Sequence, residues 1–224
     1  MCKFALKKYD TINLKNILYL RSMELIYEID CLPKDFCSHV IKKFENDGRK
    51  VCGETGARKS SWKKSTDLFL PPLRDWFEEQ TVITKHLKER FRSYAEYLKD
   101  EAFANLEDNK FIFQALLETF NPCDISWYQI QKTSEGEYYK WHFDAPPPVS
   151  KRVVTFIMYL NTVDEECGGT TEFSCGKKVQ PKVGKLLLFP SAWTYIHRGK
   201  PVTKGNKYII TGYMETQLPP LRQT

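Results

Sequence analysis

Two hydrophobic periods divide the chain. From Lys34 to Asp47 the apolar residues Phe36, Val40, Ile41 and Phe44 recur at helical spacing, with Pro33 before the start and Gly48 at the stop, which predicts an amphipathic helix. A longer helical pattern follows Pro71-Pro72. Trp76, Ile83, Leu87, Phe91, Tyr94 and Leu98 fall at steps of three, four or seven, so one face of that helix is expected against a sheet. Between the two helices, Asp67-Leu68-Phe69-Leu70 is strand-like, and residues 48–66 are polar and glycine-punctuated with no period, which predicts a mobile loop. From about Asn121 the period becomes that of strands: Ile125 to Gln131, Tyr138 to Asp144, Lys151 to Leu160, Thr170 to Phe173, Lys185 to Phe189 and Lys207 to Glu215. Turn residues separate these runs at short intervals, as an antiparallel sandwich or jelly roll requires. The expectation is a mainly β protein, a jelly roll with α-helices from the N-terminal half packed outside one sheet. It is one domain over 1–224, with 1–120 as helix-rich support and 121–216 as the core. The first thirty residues have no strong period and read as a strand or short helix leading in.

Composition narrows the class without naming a function. With 42% apolar and 28% charged residues in 224, the chain can bury a core and is not of a disordered type. No apolar run approaches the ~18 residues that a membrane-crossing helix needs. The start, Met1-Cys2-Lys3-Phe4-Ala5-Leu6-Lys7-Lys8, lacks the apolar core of a secretory signal, so a cytoplasmic location and no membrane partner are expected. Seven cysteines without a Cys-x-x-Cys pair predict free thiols, including Cys167 and Cys175, which bracket Gly168-Gly169. The net charge of +6 is spread along the chain, which permits an acidic partner without demanding one and leaves nucleic-acid binding a secondary idea.

The chemistry concentrates in Tyr138-Tyr139-Lys140-Trp141-His142-Phe143-Asp144. In an extended strand, residues two apart share a face, so His142 and Asp144 present an imidazole and a carboxylate side by side. A His-x-Asp triplet alone is more often a surface or hydrogen-bonded pair than a metal site. A third ligand is available at His197, and two histidines with one carboxylate suit non-haem iron(II) while leaving coordination positions open. His39 lies beside an apolar stripe and His86 within a helix; both read as packed or surface histidines.

The surroundings carry a resemblance. Gly136 precedes His142, the apolar run ending in Tyr159-Leu160-Asn161 is followed by Gly168-Gly169, the run from Lys185 to Phe189 precedes His197, and Pro201-Val202-Thr203-Lys204-Gly205-Asn206-Lys207 comes after it. In this order and spacing the last hundred or so residues resemble the iron(II)- and 2-oxoglutarate-dependent oxygenases, most closely their prolyl 4-hydroxylase-like branch. The resemblance implies a double-stranded β-helix, or cupin-like roll. It implies His142, Asp144 and His197 as catalytic iron ligands, Lys207 as the cation for the far carboxylate of 2-oxoglutarate, and Tyr159 and Thr171 as further polar contacts there. It also implies dioxygen as co-reactant, ascorbate as reductant, and hydroxylation with release of succinate and CO2, with a proline-containing peptide as first-choice substrate. The same chemistry on a free amino acid, a small metabolite or a nucleic acid stands as the alternative, as does a non-catalytic cupin-like binding module.

Some features depart from that pattern or stand beside it. The family commonly has a tyrosine where this chain has Thr133, and Tyr128, at odd spacing from it, should face the other way in an unbroken strand. Pro146-Pro147-Pro148 is expected to stiffen the exit from the His142 strand. Trp141 and Trp193 are candidate walls of the site. Arg58, Lys59, Lys63 and Lys64 are candidate substrate contacts on the polar loop, or a solvated surface.

Overall fold

The computed structural model describes residues 25–53, 61–70, 74–107, 109–120, 124–147 and 151–216. Most of the expected lead-in segment therefore lies outside the described residues, as do Arg58, Lys59, Pro71, Pro72 and Pro148.

Helix α1 (Lys34–Asn46) buries Cys37, Val40 and Phe44, and Pro33 ahead of it sits at φ −61°, the value its ring enforces. Asp35 in the first turn and Lys43 in the last complement the helix dipole. Helix α2 (Phe77–Tyr97) buries Ile83, Leu87, Phe91 and Tyr94 on one stripe. A π-helical turn over Leu98–Ala102 leads out of it towards α3 (Asn109–Phe120). The sequence reading did not mark α3. Phe111, Ile112 and Phe113 stand consecutively, which blurs any stripe, and Phe111 remains largely exposed.

The larger sheet runs β1 (Tyr27–Asp30), β11 (Lys185–Pro190), β8 (Arg152–Tyr159), β13 (Asn206–Glu215), β6 (Tyr128–Ser134), β4 (Thr66–Leu70) and β2 (Val51–Cys52), with β5 (Asp124–Ile125) also beside β13. The smaller runs β10 (Lys178–Val179), β9 (Thr171–Phe173), β12 (His197–Gly199), β7 (Tyr138–His142) and β3 (Lys63–Lys64). Neighbouring strands are antiparallel, and the two sheets make the expected roll.

Two expectations need correcting. The run Ile125 to Gln131 is not one strand but two, because at Ser126 the backbone N–H and the side-chain hydroxyl both turn to Tyr213 before β6 begins. The described residues within 25–53 and 61–70 are also more than support. β1, β2 and β4 extend the larger sheet and β3 the smaller, so part of the stretch expected to be loop is woven into both.

Strand alternation accounts for a sheet buried on both faces. Val154, Phe156 and Met158 of β8, Leu186 and Leu188 of β11, and Ile210 and Met214 of β13 pack with α1 and α2. Their neighbours Ile157, Tyr159, Leu187, Phe189 and Ile209 turn inward with Phe173 and Val179 of the smaller sheet. Each such Leu, Ile or Phe contributes about 1.5–3 kcal/mol by leaving water. The outer layer is tight at Gly212, where an added Cβ would stand 2.6 Å from the Phe156 ring, so the missing side chain in β13 leaves room for its cross-strand partner. No helix among the described residues is long and apolar enough to cross a membrane.

Candidate metal and cosubstrate site

One register pair closes the long sequence gap between the two histidines: His197 of β12 lies directly opposite His142 of β7. Directly opposite residues point to the same face, and the ring centroids stand 4.2 Å apart. Asp144, just past β7, is pinned by its own N–H and that of Ala145 to the Ser191 carbonyl, at 3.2 and 3.1 Å. Its carboxylate oxygens then lie 3.5 Å from His142 Nε2 and 3.5 Å from His197 Nε2.

The donor set fits a divalent metal. His142 Nδ1 lies 2.8 Å from the Lys140 carbonyl and His197 Nδ1 3.0 Å from the Tyr195 carbonyl. A carbonyl only accepts, so each Nδ1 carries the proton and each Nε2 presents a lone pair. Two lone pairs and a carboxylate turned on one another, with ligand atoms all within 4.8 Å, repel unless a cation lies between them. Donors about 2.1 Å from one ion at near-tetrahedral or octahedral angles stand roughly 3.0–3.4 Å apart, close to what is found. Burial first, and then the nearby His197, hold the His142 imidazole down to about 4, in the neutral form that binds metals.

Supporting contacts fix the triad. Thr155 Oγ1 donates to Asp144 Oδ2 (2.8 Å) and pairs with Ser191 Oγ (2.9 Å), while Arg152 Nη1 donates to the Asp144 carbonyl (2.9 Å). The Arg152 guanidinium in turn lies over the Tyr213 ring, 3.6 Å from its centroid. Phe189 and Phe173 pack on the His197 ring, and Tyr139 stacks on His142 with centroids 3.6 Å apart.

Tyr139 was missed in the sequence for a definite reason. It lies three positions before His142, which in a regular strand puts the two on opposite faces. Gly199 opposite Tyr139 and His197 opposite His142 reveal one extra residue in β7, a bulge that brings both rings to the same side. Thr155, Ser191, Arg152 and Tyr213 gave no signal at all, because nothing in their spacing ties them to Asp144.

From the triad a cavity of about 60 Å³ leads to Lys207, with Thr171, Thr133, Ile157 and Ile209 among its walls. Lys207 is 5% exposed, and its ammonium donates to the Gly169 carbonyl at 2.9 Å. No carboxylate pairs with it among the described residues, and burial pushes its pKa down to about 8. Thr171 lines this cavity, whereas Tyr159 stands behind it, fully buried, with its hydroxyl donated to Thr171 Oγ1 at 2.8 Å. Thr133 lines the cavity, and Tyr128 faces the other way as expected, turning to the helices, where its hydroxyl meets Thr84 Oγ1.

Other candidates fall away from the site. Trp193 is 70% exposed, and Trp141 lies under the Arg198 guanidinium; neither lines the cavity. Lys63 is not a solvated loop lysine, since it is buried in β3 against the Asp67 carboxylate, while Lys64 is exposed. His39 pairs with Glu79, and Cys167 and Cys175 are free thiols.

Residues 128–215 match the 2OG-Fe(II) oxygenase superfamily model. A plant relative, prolyl 4-hydroxylase 13 of Arabidopsis thaliana, is 33% identical over 129 residues, which is 45% of this chain and 43% of that protein. The chain thus spans less than half the length of that relative. Among solved structures, the 2OG complex of a viral collagen prolyl hydroxylase from Paramecium Bursaria Chlorella virus-1 superposes with a TM-score of 0.59 at 20% identity, covering 87% of this chain and 97% of that one. A Trichoplax adhaerens prolyl hydroxylase, in complex with a hypoxia inducible factor peptide fragment, gives 0.59 at 17% identity, covering 93% and 94%. Both likenesses are likenesses of fold. The stretch matched by the superfamily model carries His142, Asp144, His197 and Lys207, and the relatives of this part of the chain include prolyl 4-hydroxylases.

Proposed function

We propose that the protein is an iron(II)- and 2-oxoglutarate-dependent dioxygenase that hydroxylates a prolyl residue in a peptide and releases succinate and CO2. The observation that carries this is Lys207. A buried ammonium with no carboxylate partner among the described residues, in the wall of the cavity that begins at the triad, is suited to an anionic ligand that reaches from the metal to the lysine. Iron(II), held by His142, Asp144 and His197, would supply the activation of dioxygen when bound with 2-oxoglutarate. The chain's own residues do the positioning. Thr155 and Ser191 hold the Asp144 carboxylate, the Lys140 and Tyr195 carbonyls hold the two imidazoles in the ligand tautomer, and Tyr159 orients the Thr171 hydroxyl beside Lys207. Ile157 and Ile209 make the intervening wall apolar, which strengthens the lysine–carboxylate attraction and excludes water.

The peptidyl-proline assignment takes its support from the prolyl 4-hydroxylases among the relatives. Ascorbate, as in the enzymes it resembles, would sustain turnover. Anaerobic titration with iron(II) and 2-oxoglutarate should give a weak visible charge-transfer band, and a proline peptide should raise succinate release and gain one oxygen atom by mass. Absence of the band with both added would leave a cupin-like binding module as the better account.

A further inference from the structure

We propose that the open groove beside the triad binds an extended, uncharged stretch of peptide, and that Trp127 and Phe69 hold a ring-bearing side chain of that peptide about four residues from the one that reacts. The proposal rests on the dioxygenase assignment above and names what its substrate must carry.

The groove holds about 550 Å³ and shares Gln131, Tyr139, Thr211 and Tyr213 with the cavity of the triad. Its floor inverts the usual order of burial. On β4, Leu68 and Leu70 pack with the helices, so Asp67 and Phe69 share the opposite face; yet the aspartate is 0% exposed and the phenylalanine 51%. Trp127, at the same end of the groove, is 67% exposed. A charged residue sealed in and two aromatics left open on one surface is the reverse of what folding alone favours, and a ligand face accounts for it.

The floor between is made of side-chain amides. Gln131 donates to Gln129, and Gln129 donates to Asp67 at 2.9 Å, so each amide keeps a further N–H, and Gln131 its carbonyl, within a lining residue of the groove. Extended main chain offers the same mixture of N–H and C=O. The charges here are already matched within the protein. Lys63 pairs with Asp67, while Lys151 and Arg152 lie 2.7 and 3.6 Å from the Glu215 carboxylate. Among the described residues that line the groove, Lys63 and Arg152 already have carboxylate partners, so a phosphodiester backbone would find no unmatched cation there, which disfavours a nucleic-acid strand. From Trp127 to Gln131 is four steps along the strand, roughly 13 Å at about 3.3 Å each, and an extended peptide covers that span in about four residues.

The test uses capped decapeptides with one central proline and either phenylalanine or alanine at each position up to five residues away, offered to the enzyme loaded with iron(II) and 2-oxoglutarate. At one offset, close to four residues, the phenylalanine peptide should show a KM about tenfold lower than its alanine counterpart. Trp127→Ala and Phe69→Ala, both at exposed positions, should bring that ratio towards one. Equal KM values in the wild-type enzyme, or a preference that survives both substitutions, would overturn the subsite while peptide hydroxylation itself left the dioxygenase assignment standing. Binding of iron(II) and 2-oxoglutarate with rejection of every peptide, or coupling by a single-stranded oligonucleotide instead, would overturn both the subsite and the prolyl substrate.

Discussion

Lys207 and Lys63 are buried to nearly the same degree, 5% and 6% exposed, in two adjoining spaces of the same roll. Their electrostatic situations are opposite. Lys63 meets the fully buried Asp67 carboxylate, which also accepts from Ser65 and Gln129, so its charge is neutralised inside the fold. Among the described residues, Lys207 meets only a backbone carbonyl. Burying an ammonium without a counter-ion costs several kcal/mol. On the function proposed above, the closed cavity receives a charge and the open groove receives none.

The sharpest break comes at the metal. His142→Ala, Asp144→Ala and His197→Ala should each abolish iron-dependent succinate release, because three protein ligands leave no spare; near-normal turnover in any of them removes that residue from the triad. Next in size is the paired lysine's partner. Asp67→Ala strands Lys63 in the interior and should cost about 3–5 kcal/mol of stability, read by denaturant unfolding. Lys207→Met should do the reverse. It removes an uncompensated charge, so the apoprotein should melt no lower than wild type, while 2-oxoglutarate affinity falls by the roughly 1.5–3 kcal/mol of a charged hydrogen bond. If Lys207→Met melts early and keeps its cosubstrate affinity, the roles assigned to the two lysines are wrong. Thr155→Val is a smaller perturbation. It takes a hydrogen bond from Asp144 Oδ2 without touching the metal, and should weaken iron(II) binding by about 10–100-fold. Unchanged affinity would make Thr155 merely structural.

The two lysines also mark how far the sequence could be read. Lys207 was legible because it opens an apolar strand after a run whose order and spacing belong to a known family. Lys63 was not, because it sits among Lys64, Arg58 and Lys59 in a stretch with no period, and its burial depends on β3 pairing with β7 and on Asp67 reaching back from the next strand. His142, Asp144 and the helices were legible from period. His142 and Asp144 differ by two, and the buried stripes of α1 and α2 keep their steps of three and four. What the sequence hid is what breaks a period: the bulge in β7 that turns Tyr139 onto His142, the split between β5 and β6, and the long-range bonds from Thr155 and Ser191 to Asp144.

The mildest test of the contrast is pH. An unperturbed lysine titrates near 10.4, and burial brings Lys207 to about 8, so between these values the unfolded chain holds a proton there that the folded apoprotein has released. With more protons on the unfolded state, apoprotein stability from this group rises with pH across that window, and below about pH 8 it is constant. Cosubstrate binding runs the other way. On the proposed role of Lys207, the far carboxylate of 2-oxoglutarate needs the ammonium, so above about pH 8 the lysine must first regain its proton, and affinity should fall by about tenfold per pH unit until the unbound and bound pKa values have both been passed. Dissociation constants from anaerobic titration at a series of pH values between 7 and 10 give the slope directly. Lys207→Arg separates this effect from any titration of the metal ligands, since a guanidinium stays charged throughout. Its profile should be flat where the wild type falls, and a parallel decline in both proteins would move the cause away from Lys207.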